Sequence, residues 1–491
     1  MTPPRLILEV NTRLWLRRLG GGSPVSLRVV PDEVLNQWAR AGFDAVWLMG
    51  IWRPSTASRD IALEHPGLRA DFSRILPEWT PEDVVGSPYA VAGYDVPAEW
   101  GGEEALADLR SRMKRKGLRL ILDFVPNHTS RDHPWVFDHP EWYMQLAEEF
   151  LARNPEHGFR AATASGQAII AHGKDPYFPS WTDTAQLNYR HSQLHQAQRE
   201  LLHRLAGWCD GVRCDMAMLI LPEVFEKVWQ GNDALPEFWE PTIREIKAAH
   251  PEFCFIAETY WGLDRALNER GFDLTYDKEL LDHVATDVPL AKEQFDLPIE
   301  QHRRRVRFLE NHDEPRVASR LPRGKHFAAA TWLAMLPSSL LIYDGQMEGF
   351  KNKSPIQLRR DPVEVADTEV QEFYRELLDV ARRYAVRRGE WRMLGCRPAW
   401  IGNDTHRFIL AQAYDLENEH LRVYVNWSNQ RSQCWSDVHL SGLLDREVVL
   451  RDQLGPKKFV RQGTELMMRG LYLDLDPWEV QVFACEVREV R

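Results

Sequence analysis

Four short stretches of this chain end in groups that exchange protons or accept hydrogen bonds. They are DFVPNH (123–128), GVRCD (211–215), FIAE (255–258) and FLENHDEPR (308–316). Each contains a short apolar run and finishes polar. Together they bring the carboxylates Asp123, Asp215, Glu258 and Asp313, the imidazoles His128 and His312, and the guanidinium of Arg213. A buried polar group without a partner costs about 1–3 kcal/mol, so such residues collect at strand ends for a reason. A turn explains one such end. It does not explain four in the same place on four strands.

The elements that must position them are legible as eight β-like runs. These are LILEV (6–10), DAVWLM (44–49), LRLILDFV (118–125), GVRCD (211–215), CFIAE (254–258), FDLTY (272–276), VRFLE (306–310) and LLIYD (340–344). Most are apolar along their whole length rather than alternating, which marks parallel strands buried on both faces. Amphipathic stretches lie between them. PDEVLNQWARAG (31–42) opens on Pro-Asp and closes on Gly, so both helix ends are marked. EEALADLRSRMKRKG (103–117) and HSQLHQAQRELLHRLAG (191–207) are two more. Strand then helix, eight times over, predicts an α/β protein built as a (β/α)8 TIM barrel, with its active site at the C-terminal ends of the strands. All four polar tips fall there.

The barrel is predicted to occupy residues 1–128 and 183–395. An irregular segment rich in Pro, His, Gly and aromatics, residues 129–182, reads as a short inserted B subdomain after strand 3. Residues 396–491, with THRFILAQAYDL, EHLRVYVNWS and REVVLRDQL, read as a C-terminal antiparallel β-sandwich.

The chain has 491 residues, 44% of them hydrophobic, and a formal net charge of −11. That charge argues against nucleic acid or an anionic membrane as partner and fits a neutral substrate. LILEV is too short for a secretory core, and no run reaches the about 18–20 apolar residues of a membrane helix. None of the six cysteines forms a CxxC pair, so no zinc or dithiol motif is expected and a reduced, cytoplasmic location is. Oligomeric state is left open.

The four stretches resemble, in order and strand placement, the signature regions of the α-amylase family of glycoside hydrolases. GFDAVWLMGIW (42–52), DTAQLNY (183–189) and YDGQMEGF (343–350) are similar to its supporting regions. The resemblance implies roles. Asp215 is then the nucleophile that forms a covalent glycosyl-enzyme, Glu258 the general acid/base, and Asp313 the third carboxylate that holds sugar hydroxyls. His128 and His312 hydrogen-bond the sugar at the cleaved position, Tyr89 in GSPYAV lies under that sugar, and Arg213 keeps Asp215 ionised. A retaining glycosidase needs two carboxyl groups about 5–5.5 Å apart, one ionised and one protonated. On this reading Arg213 lowers the pKa of Asp215, while a poorly solvated site raises that of Glu258.

Other residues carry weaker expectations. Asp123 is expected to be structural, pairing with Arg213 or another neighbour. Asn127 either ties the insertion to the barrel or, as in many family members, binds calcium; the chemistry itself requires no cofactor. Trp52, Trp181 and Trp261 are candidates to stack on sugar. Glu310 is expected to face inward and Arg316 to neutralise nearby acids.

The sequence also departs from the family. Many α-amylases carry a Lys-His pair shortly after the nucleophile; here Met218 and Leu219 stand in those places. Three functions follow. The first is a hydrolase of α-glucosidic bonds in maltooligosaccharides or related α-glucans. The second is a transglycosylase or sugar isomerase of trehalose synthase type, and the third a non-catalytic carbohydrate-binding protein. Nothing in the sequence marks the anion site that a phosphorylase would need.

Overall fold

The computed structural model describes residues 3–230, 235–286, 290 and 292–489. Its central feature is a closed barrel of eight strands: β1 Leu6–Asn11, β2 Ala45–Met49, β3 Arg119–Phe124, β4 Gly211–Cys214, β5 Cys254–Ala257, β6 Leu274–Tyr276, β7 Arg305–Arg307 and β8 Ser339–Tyr343. The strands follow one another around the barrel in chain order. Neighbours pair in parallel, as in Ile7 with Ala45, Arg213 with Asp123 and Val306 with Ser339. Every residue of β1, β2, β4, β5 and β8 is buried. This is why these runs are apolar without alternation. The seventh strand is shorter than its sequence run: it ends at Arg307, and Phe308 and Leu309 beyond it are buried.

Two of the helices read from the sequence are present. Asp32–Ala41 has Asp32 and Glu33 in its first turn and Arg40 in its last, charges that oppose the helix dipole. Gly102–Arg115 buries Ala105, Leu106, Leu109 and Met113 along one face.

Chain contacts define two compact units: Met1–Ala39, Phe43–Tyr276 and Asn352–Glu364 in one; Arg40–Gly42, Asp277–Lys351 and Val365–Arg491 in the other. In the first, the excursion after β3 leaves and returns through two short antiparallel strands, His128–Ser130 against Thr184–Gln186. It carries a hairpin of Gly158–Thr163 and Gly166–Ala171. In the second, a six-stranded antiparallel sheet and a three-stranded one follow residue 390. Ile409, Tyr424, Val448 and Phe483 of the larger sheet and Cys434, Leu471 and Leu473 of the smaller share one apolar core, a β-sandwich. Here burial does alternate, as in Leu471–Leu475, because one face meets water.

Candidate active site

Arg213 is the centre of the site. It sits one residue before the end of β4, and the two-residue period of a strand turns Arg213 and Asp215 to the same side. Its Nη1 lies 2.7 Å from Asp215 Oδ1 and 3.8 Å from Asp123 Oδ1; its Nη2 lies 2.6 Å from Glu258 Oε2. The guanidinium is fully buried, with the rings of Trp47, Tyr89 and Tyr276 centred 5.1, 5.2 and 5.8 Å away. Burial alone would pull its pKa down, but Glu258, Tyr89, Tyr276 and Asp215 hold it well above the ordinary value.

Glu258 follows β5, and its N–H continues the ladder to Cys214 O at 3.1 Å. Its carboxylate accepts from Met216 N at 2.7 Å and from Tyr260 Oη at 2.6 Å. Met216 has φ +42°, a left-handed conformation that a non-glycine residue adopts only when held there. The bond from its N–H to Glu258 is one such hold.

The charge balance differs from the sequence expectation. Arg213 was expected to keep Asp215 ionised, with Asp123 as a further partner. Instead one guanidinium is shared by three carboxylates, and Glu258 has more donors than Asp215. Burial pushes Asp215 up to about 8; Arg213 opposes the rise and Glu258 adds to it. Burial therefore disfavours the ionised form of Asp215 at neutral pH.

The remaining residues fall as follows. Asp123 Oδ2 accepts from Gly50 N at 2.9 Å and its carbonyl accepts from Trp52 Nε1 at 2.7 Å, a structural set of contacts. His128 is buried, its ring 5.3 Å from that of the half-buried Trp181. Burial pulls His128 down to about 4, so it is neutral at pH 7. In the second unit, His312 is fully buried and its Nε2 lies 3.0 Å from Oδ2 of the half-exposed Asp313. Asn311 Oδ1 accepts from the N–H groups of Asp313 and Glu314, both at 2.9 Å, and so shapes the turn that presents them. Glu310 is buried against Arg316 at 2.7 Å, as expected of both.

Trp52 is a correction. It is 2% exposed and packs on Tyr94 and Trp208, so it is core and offers no face to a sugar. Trp261 is 39% exposed and meets the exposed Tyr177 edge to face, with ring centroids 5.0 Å apart. Tyr260, Trp47 and Tyr276 were missed by sequence reasoning. Tyr260 stands two residues after Glu258, and that spacing was a usable signal.

Calcium does not fit at Asn127. Its carboxamide oxygen accepts from Gln186 Nε2 at 3.0 Å and its nitrogen donates to Gln186 Oε1 at 3.2 Å, a reciprocal pair that ties the excursion to the barrel. Among the described residues no cluster of three or more His, Cys, Asp or Glu side chains could hold a metal. Met218 and Leu219, which stand in the places of the family's Lys-His pair, are buried.

A sequence profile described as "Alpha amylase, catalytic domain" matches residues 39–439. The chain belongs to the alpha-amylase family. Among curated relatives, Alpha-amylase 3 of Dictyoglomus thermophilum is 20% identical over 297 residues, 56% of this chain and 56% of the relative. The alpha-1,4-glucan:maltose-1-phosphate maltosyltransferase of Burkholderia pseudomallei is 25% identical over 349 residues, 67% of this chain and 25% of the relative. The chain thus spans about half the length of the first and a quarter of the second. An alpha-amylase from Lactobacillus plantarum of solved structure is 21% identical with a TM-score of 0.66 over 98% of each chain, a match of fold. This alpha-amylase family member has no helix, among its described residues, long and apolar enough to cross a membrane.

Proposed function

We propose that this protein is a retaining glycosidase that cleaves α-glucosidic bonds of maltooligosaccharides or related α-glucans. The observation that carries this reading is Arg213, whose two terminal nitrogens reach Asp215 and Glu258 at 2.7 and 2.6 Å. Carboxylates gripped by the two ends of one guanidinium are side by side. This supports the about 5–5.5 Å spacing of retaining enzymes over the roughly 6.5–9.5 Å that an interposed water needs.

In the first step Asp215 attacks the anomeric carbon, and the glycosidic oxygen leaves with the proton of Glu258. In the second, Glu258 takes a proton from water, the hydroxyl attacks the same carbon, and the bond to Asp215 breaks. The first step needs one proton on the pair, on Glu258, and the second needs Glu258 without it; burial, which raises Asp215, supports this reading by disfavouring two negative charges side by side in the free site. By the family resemblance His128 and Tyr89 are assigned to bind the sugar; Asp313 and His312, on the second unit, carry the same assignment by resemblance alone. No metal is required for these steps. We further propose a division into barrel (1–128 and 183–395), inserted subdomain (129–182) and C-terminal sandwich (396–491). Six free cysteines support a reducing, cytoplasmic setting.

A second reading is transfer, in which a sugar hydroxyl replaces water in the second step. It is supported by the named maltosyltransferase relatives and by the apolar Met218 and Leu219. A chromatogram of products from maltoheptaose, starch, sucrose and trehalose, with Asp215→Asn as control, separates the two. Shorter sugars alone are the expected result. Sugars longer than the substrate, or a rearranged disaccharide, would move the assignment to transferase or isomerase. Undiminished turnover by Asp215→Asn would sink the mechanism.

A further inference from the structure

The helix after β1, Thr12–Leu19, places Arg13 and Arg17 one turn apart, and both face a small cavity also lined by Arg359, Glu99, Trp100 and Pro54. Arg13 is 8% exposed, yet its hydrogen bonds are two long ones from a single nitrogen: Nη1 donates to Gly86 O and to Ile356 O, each at 3.3 Å. Arg359 Nε is buried with no hydrogen-bond partner. None of the three guanidiniums forms an ion pair with a described carboxylate, although the other buried arginines, Arg213, Arg307, Arg316 and Arg422, all do. Glu99 is the one acid on the wall, so the cavity carries two uncompensated positive charges.

Burying a guanidinium without an anion is unfavourable, and setting a second beside it is more so. Burial and the charge of Arg359 pull Arg13 down to about 10, with Glu99 opposing, so Arg13 stays charged at neutral pH. Guanidinium forks match tetrahedral oxyanions, which accept two parallel N–H bonds per fork. The cavity volume, about 30 Å³, suits one small ion group rather than a sugar.

We propose that Arg13, Arg17 and Arg359 form a binding site for a phosphate group, free or at the end of a small phosphate ester, outside the carboxylate centre. The site unites loops that are far apart in sequence, which is why the residue pattern did not mark it. Its carbonyl contacts hold Gly86, three residues before Tyr89, so an occupied site also steadies the loop that presents that ring.

The test is thermal unfolding of the full chain against inorganic phosphate, with KCl holding ionic strength constant. The wild type should gain Tm with phosphate and saturate. Arg359→Gln and Arg17→Gln, both on partly exposed side chains, should each weaken phosphate affinity about tenfold or more, the worth of one charge-assisted bond. Arg359→Gln should also raise Tm in phosphate-free buffer, because it removes the charge facing Arg13. Glucose 6-phosphate binding as tightly as inorganic phosphate would point to an ester as ligand, and much weaker binding to the free ion. No response to phosphate, an equal response in wild type and both variants, or an equal response to chloride would overturn the proposal.

Discussion

Arg213 touches two carboxylates with its two terminal nitrogens and faces a third at 3.8 Å, so one cation offsets three acids. Three acids against one guanidinium in a dry setting cannot all ionise at little cost. Asp215 is pushed up to about 8 from an ordinary 3.8, by burial first. Between those pH values the unfolded chain has lost this proton and the folded chain has kept it. Folding then takes up a proton, so stability falls as pH rises through that window and is unaffected below it. Asparagine cannot titrate. Asp215→Asn should therefore melt higher than wild type at pH 8, on the order of 1–3 °C for about 1 kcal/mol in a large domain. The gap should close toward pH 4. Scanning calorimetry of both proteins across that range checks it, and a gap independent of pH would mean Asp215 is ionised throughout.

At the scale of elements, β4 is the rail that carries Arg213 and Asp215, and its first residue leaves no slack. A Cβ built on Gly211 would stand 2.5 Å from Cys254 O and 2.9 Å from Ile121 Cδ1, on the two neighbouring strands. Gly211→Ala must push β3, β4 and β5 apart, and overpacking of that kind costs about 1–3 kcal/mol. It should lower Tm and cut kcat well beyond the stability loss, because Asp215 and Glu258, the proposed catalytic pair, hang from the displaced strands. A variant with wild-type kcat would show that the strand spacing does not position the pair. These strands were legible in the residues because burial on both faces forbids alternation. What each strand tip touches was not. Arg213 meets Glu258 through barrel curvature, a relation that no spacing along the chain encodes. Tyr260 and Trp52 show the same limit from opposite sides: one aromatic near a strand end turns toward the acid, the other into the core.

The whole molecule adds a pH dependence of its own. Burial pulls His128, His172, His302 and His326 down to about 4 and His133 to about 3. Each is neutral in the folded chain where the unfolded chain, with an ordinary value of 6.5, takes up a proton. The unfolded state then binds more protons, so stability falls as pH drops from about 6.5 toward 4. Tm should decline steeply over that interval, and His326→Gln, which removes one of these histidines, should flatten the decline. An unchanged slope would mean the buried rings do not set it. Barrel, excursion and terminal sandwich were all readable from the order of elements. The arginine cluster of residues 13, 17 and 359 was not, because charge compensation is a property of neighbours in space.

The central claim is that Asp215 is the nucleophile of a retaining enzyme. The most direct measurement is intact and peptide mass spectrometry after incubation with 5-fluoro-α-glucosyl fluoride, a substrate whose second step is slow. The account predicts a mass increase of one fluoroglucosyl group, located on Asp215 and absent from Asp215→Asn. An adduct on another residue, or steady turnover with inversion at the anomeric carbon and no adduct, would contradict it.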